Sequence, residues 1–198
     1  MNPLKSITGT IVSGFILAII LTVIFTQTLQ PGNAIWSWIV WFHVLAGVVW
    51  IGLLYYFNFV QVPAVGAATA DSDGPGPAAI NKYVAPRALL WFRWAAVVTW
   101  LTGAYYLLRA GTFMDAFILQ GPHAYLGIGA WLGTIMLFNV WVLIWPNQKK
   151  VLGMVEASDA EKAKAARTAL LASRTNTALS IPMLFFMVTG SLAHMGMF

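Results

Sequence analysis

Five runs of this chain, at about residues 7–29, 36–62, 86–109, 122–146 and 176–197, are apolar over the length needed to cross a bilayer. A helix rising about 1.5 Å per residue needs roughly 20 residues to span a hydrocarbon layer about 30 Å thick. Inside that layer every backbone N–H and C=O must be bonded within the protein, which restricts a spanning segment to a helix or a strand of a closed barrel. Runs this long and continuous select helices. The composition agrees, because 60% hydrophobic and only 9% charged residues fall outside the range of soluble domains. The expected fold is all-α: a single transmembrane domain over 1–198, built as an integral membrane helical bundle with five transmembrane helices.

Basic residues orient such a bundle, since Lys and Arg collect on the cytoplasmic side. With five spans, the N-terminus and the connections 63–85 and 147–175 share a side. Together with adjoining helix ends they carry Lys5, Lys82, Arg87, Lys149, Lys150, Lys162, Lys164, Arg167 and Arg174, against Arg109 alone on the other. This places the N-terminus in the cytoplasm and the C-terminus in the periplasm of a bacterial inner membrane, as a multi-pass protein. The first run has no small-x-small cleavage site before "QPGNA" and reads as a retained anchor. The Pro-, Gly- and Ala-rich segment 63–85 reads as an extended connection. Ser158 and Glu161 form a capping box ahead of "AEKAKAARTALLASR", so a cytoplasmic surface helix is expected over about 158–173.

The absence of cysteine excludes disulfides, thiolate-bound metals and covalently attached haem. The net charge of +5 is accounted for by the orientation signal, so no nucleic-acid partner is expected. The principal partner is the lipid bilayer. "GIGAWLG" lies inside an apolar run with no strand before it and is not a dinucleotide fingerprint.

Chemistry then rests on a few polar residues. Under this topology His43, His123 and His194 all fall toward the periplasmic side, and each has a glycine four residues deeper, at Gly47, Gly127 and Gly190. Residues four apart share a helix face. A glycine below an imidazole leaves room for a flat macrocycle, and it equally permits close helix packing. The haem reading makes His43 and His123 candidate iron ligands, with His194 as the other choice for the second axial position, and adds Gly47 and Trp50 to the cofactor surface. Neutral imidazole is a usual ligand of b-type haem. His43, Gly47, Trp50, Leu54, Asn58 and Gln61 follow spacings of 4, 3, 4, 4 and 3, one inward stripe. Asn58, Gln61, Arg93 and Asn139 lie at comparable depth in the cytoplasmic half and are expected to form an intramembrane polar group.

The stretches "HVLAGVVWIGLLYYFNFVQ", "WFRWAAVVTWLTG", "WLGTIMLFNVWVLIWPNQKKVLG" and "NTALSIPMLFFMV" closely resemble the membrane domain of the bacterial membrane-bound urate oxidase family. There that domain precedes a cytochrome c domain, whereas this chain has no Cys-x-x-Cys-His. The resemblance implies a membrane redox module, with His43 the most transferable residue and electron transport to a separate soluble or membrane-anchored cytochrome c. Whether such a module oxidises a substrate itself, as a urate-oxidase-like oxidoreductase, stays open at the level of sequence. A second reading is a haem-free accessory subunit of a larger respiratory or photosynthetic membrane complex.

Overall fold

Pro63, Pro86 and Pro146 each follow a widened helical turn rather than a helix end. The computed structural model describes residues 2–26 and 34–194, with side chains described across 35–190 in the second stretch. A proline inside a helix lacks the donor for the carbonyl four residues back, and its ring crowds that oxygen. Here the residue before each proline donates five back instead: Val62 to the Phe57 carbonyl, Ala85 to that of Ile80, and Trp145 to that of Val140. The resulting π-helical turns, Phe57–Gln61, Ile80–Val84 and Asn139–Ile144, make room for the ring and let the helix continue.

The elements are α1 (Ile7–Thr26), α2 (Ala34–Tyr56), α3 (Val62–Ala70), α4 (Ala85–Arg109), α5 (Phe113–Phe117), α6 (Ala124–Phe138), α7 (Trp145–Val151) and α8 (Asp159–His194). Short 3₁₀ turns cover Pro3–Lys5 and Gly121–His123. No β-strand occurs among the described residues, and the all-helical class is as expected. Three described helices are long and apolar enough to cross a membrane: Ile7–Ile24, Ile35–Ala70 and Gly121–Val151.

Two local expectations change. The segment 63–85 is not an extended connection, because "VPAVGAATA" continues the preceding helix to Ala70 and helix resumes at Ala78. Proline stands near the start of α3, where its missing N–H costs little, and alanines supply propensity. The true turn is the short stretch between, with Gly76 at φ +68°. Likewise the helix expected at the surface over 158–173 and the apolar run from 176 are parts of one 36-residue helix, α8.

Residues 1–39 and 40–198 form separate compact units, with the boundary inside α2. In the first, α1 is apolar on every side and none of its window is buried, as in a helix surrounded by lipid. In the second, side-chain pairs set the packing. Phe57 meets Phe92, Tyr55 meets Ser180, Trp100 meets Thr134 and Asn139 meets Asn176. On each packed pair of helices, numbers rise on one as they fall on the other, so α2 and α6 run antiparallel to both α4 and α8. Trp50, Leu54, Phe92, Met136 and Val140 fill the centre. Outside lie Val48, Phe59, Phe138, Ile181 and Phe185, a large apolar surface suited to lipid contact.

Candidate functional site

His43 has a defined setting. Its Nδ1 lies 2.8 Å from the backbone carbonyl oxygen of Thr99 on α4, with the Thr102 hydroxyl at 3.4 Å. A carbonyl only accepts, so in the neutral ring Nδ1 carries the proton and Nε2 keeps its lone pair. That is the arrangement in which metal-binding histidines are oriented, the second nitrogen being held by a carbonyl. The same Thr99 carbonyl accepts from the Thr102 hydroxyl at 3.0 Å. Gly103 admits the ring: a Cβ there would fall 2.9 Å from His43 Cε1 and 3.1 Å from Nδ1. A Cβ on Gly47, one turn deeper, would lie 3.8 Å from the Thr99 methyl, in ordinary contact.

The other two histidines stand elsewhere. Trp100, next to His43's partner Thr99, bonds Thr134 of α6, and His123 lies eleven residues before Thr134. Along a helix of about 1.5 Å per residue that is an axial offset on the order of 15 Å. His123 begins the bundle's next helix from the Gly121–His123 turn. His194 ends α8, and its side chain lies outside the described residues. The glycines near these two serve packing: a Cβ on Gly127 would collide with the Ala116 carbonyl, and one on Gly190 would fall 2.7 Å from the Leu126 nitrogen. No group of three or more His, Cys, Asp or Glu side chains occurs among the described residues.

Trp50 is buried in the core, and its indole N–H has no hydrogen-bond partner. The expected polar group forms in a different way. Asn58 donates to the Leu54 carbonyl at 2.9 Å and to Ser173 at 2.8 Å, and Asn139 donates to Asn176 at 2.8 Å. Asn176 in turn donates to the Met136 carbonyl at 2.9 Å, one turn before the widened segment. The asparagines are thus joined through α8 rather than to each other. Gln61 keeps an unpartnered buried carbonyl oxygen, as does Asn58. Arg93 lies apart from them, its guanidinium 3.8 Å over the Trp145 ring.

Ser173, Asn176 and Ser180, which the sequence reading passed over, form the hub. Their spacings of 3 and 4 put them on one face of α8. Ser180 binds Tyr55 at 2.9 Å, so this face ties α8 to α2 and α6.

Fold and site define a helical membrane-type domain with a polar spine and one histidine held by a backbone carbonyl. Residues 104–197, from the second half of α4 through α8, match the family model described as urate oxidase N-terminal. That supports placing the chain with this family, and the match takes in His123, Asn139 and the α8 hub while starting beyond His43 and Arg93. No curated protein and no solved structure matches the chain.

Proposed function

We propose that the chain is a membrane redox module of the urate oxidase N-terminal type. It crosses a bacterial inner membrane five times with the N-terminus cytoplasmic, binds one b-type haem, and passes electrons from a small reductant or membrane donor to a separate cytochrome c. The observation that carries this reading is the intramembrane His43, with Nδ1–H engaged by Thr99 and Nε2 left as a donor to iron. An ionisable side chain at that depth needs such a purpose.

The residues fit the group at one axial position. His43 would hold the iron, and Gly103 makes room for its imidazole. The haem supplies a one-electron couple at iron. Within the chain, the Thr99 carbonyl fixes the imidazole and raises its basicity. His43 is the first ligand of this reading, and the offset of His123 along the bundle leaves His194 as the remaining choice for the second.

A haem-free accessory subunit is favoured by the same Thr99 bond, which satisfies the imidazole without iron, and by the protein atoms that occupy the space beside Gly127 and Gly190. The two readings part in one preparation. Protein purified in mild detergent gives, under the first, a b-type reduced-minus-oxidised spectrum near one haem per chain by pyridine haemochrome. His43→Ala then loses the Soret band, with folding checked by helical circular dichroism. A colourless, folded wild type would overturn the haem reading in favour of the second. A His43→Ala variant that keeps the full band would overturn the assignment of His43.

A further inference from the structure

The geometry points to a second site, far from His43, at the end of the bundle where α4 meets α7. Arg93 lies 3.8 Å over one ring, Trp145, and Lys149 Nζ is 5.8 Å from the centre of the same ring. Two cations therefore share one indole. Cation–π contact offsets part of their desolvation but leaves both charges unneutralised. Helices α2, α3, α4, α6 and α7 contain no Asp or Glu at all, and the ion pair found among the described residues is Lys162 with Asp159 on α8. Among the described residues neither Arg93 nor Lys149 has a carboxylate within ion-pair distance, so an anion from outside the chain can serve as their counter-charge.

Its chemistry follows from where the cations stand. Trp145 begins "WPNQKKV", the polar end of the apolar helix Gly121–Val151, so the ring sits at the level where a membrane helix reaches the headgroups. Directly inward, α4 and α6 with its widened turn turn apolar side chains outward: Trp94 is 52% exposed, Phe138 56% and Val142 49%. Trp94 is braced edge-on against Trp141 at 5.4 Å. An anion here would carry a hydrocarbon tail running along that surface. The Arg fork suits two oxygens of one phosphate, and Lys149 adds a point charge.

We propose that Arg93, Trp145 and Lys149 bind the phosphate of an anionic phospholipid between α4 and α7, with an acyl chain along Trp94, Val142 and Phe138. The site is independent of haem and uses no residue assigned to it. Basic pockets between membrane helices on the cytoplasmic side take such headgroups.

The test is native mass spectrometry of the detergent-purified protein titrated with phosphatidylglycerol or phosphatidylcholine of the same chain length. Wild type should retain phosphatidylglycerol preferentially. Arg93→Gln and Lys149→Gln should each weaken that retention by roughly fivefold and leave phosphatidylcholine unchanged. Arg93→Lys, which keeps the charge and loses the fork, should fall between. Lys149→Gln lies near the helix end and keeps the test valid if Arg93→Gln does not fold. Equal retention of the two lipids, or unaltered phosphatidylglycerol binding in both Gln variants, would overturn the proposal. Displacement of the lipid by millimolar inorganic phosphate would reassign the site to a soluble phosphate and also overturn it.

Discussion

The Nδ1 of His43 donates to the Thr99 carbonyl across 2.8 Å, and the ring is seated on Gly103, where a Cβ would press on Cε1 at 2.9 Å. Gly103→Ala therefore pushes the imidazole off its carbonyl. Overpacking of this kind costs about 1–3 kcal/mol. With the proposed haem bound, the longer Nδ1–H···O contact would make His43 a weaker donor and so favour the reduced iron. A potentiometric titration of Gly103→Ala should show a higher midpoint potential than wild type, with the Soret band still present.

Gly127 and Gly133 lie six residues apart on α6 and should respond in opposite ways to the same change. A Cβ at Gly127 runs into the Ala116 backbone carbonyl, which cannot swing aside as a side chain could, whereas one at Gly133 meets nothing within 4 Å. Gly127→Ala should lose about 1–3 kcal/mol. Gly133→Ala should gain about 0.5–1 kcal/mol from helix propensity. Thermal unfolding midpoints in one detergent, read side by side, decide it; equal shifts would contradict the close approach of α5 to α6.

Acidification should loosen the start of α8. The Glu161 carboxylate accepts from the Ser158 N–H and hydroxyl, both at 2.8 Å, while Ser158 Oγ accepts from the Glu161 N–H at 3.3 Å. The backbone bond first, then the hydroxyl bond, hold this carboxyl below the usual glutamate range, with Lys150 adding to the effect. Since the folded value is the lower one, the cap's contribution is complete above the unfolded value near about 4.3. It disappears as pH falls through the folded value. Secondary chemical shifts of labelled Ala160 and Ala163 should move toward coil over that interval, and Glu161→Gln should abolish the dependence.

How much of this was readable in the chain depends on where each bond partner comes from. The inward stripe of α2 was visible because His43, Trp50 and Asn58 recur at helical spacing. Asn139 is recognisable as a polar residue within an apolar run at a depth comparable to that of Asn58. Their partners were missed because "SRTNTALS" crosses the point where a surface helix was separated from a span, which divided the Ser173, Asn176, Ser180 face between two elements. The composition of 63–85 suggests an extended connection, and the widened turn that lets the helix run through Pro63 has no compositional signature. The partner of His43 is a backbone carbonyl, which any residue type could supply. Gly103, which admits the ring, was the one legible clue.

The pair Asn139 and Asn176 tests whether the polar spine holds the bundle together or merely fills it. Asn176 is 0% exposed and does two jobs, accepting from Asn139 Nδ2 and donating to the Met136 carbonyl. Met136 lies just before the widened turn Asn139–Ile144, where the regular ladder is interrupted and its oxygen gains a side-chain donor. Removing Asn176 therefore strands a donor and weakens the bonding of a carbonyl in an apolar interior. Asn176→Ala should cost about 1–3 kcal/mol, and Asn139→Ala less, because Asn176 still keeps Met136. The double variant should cost less than the sum, with a coupling on the order of 0.6 kcal/mol as found for hydrogen bonds between membrane helices. A double-mutant cycle on unfolding in mixed micelles measures it. Strict additivity would mean that the two side chains do not meet, and would leave the Asn176 bond to the Met136 carbonyl as the tie of Asn176 to α6.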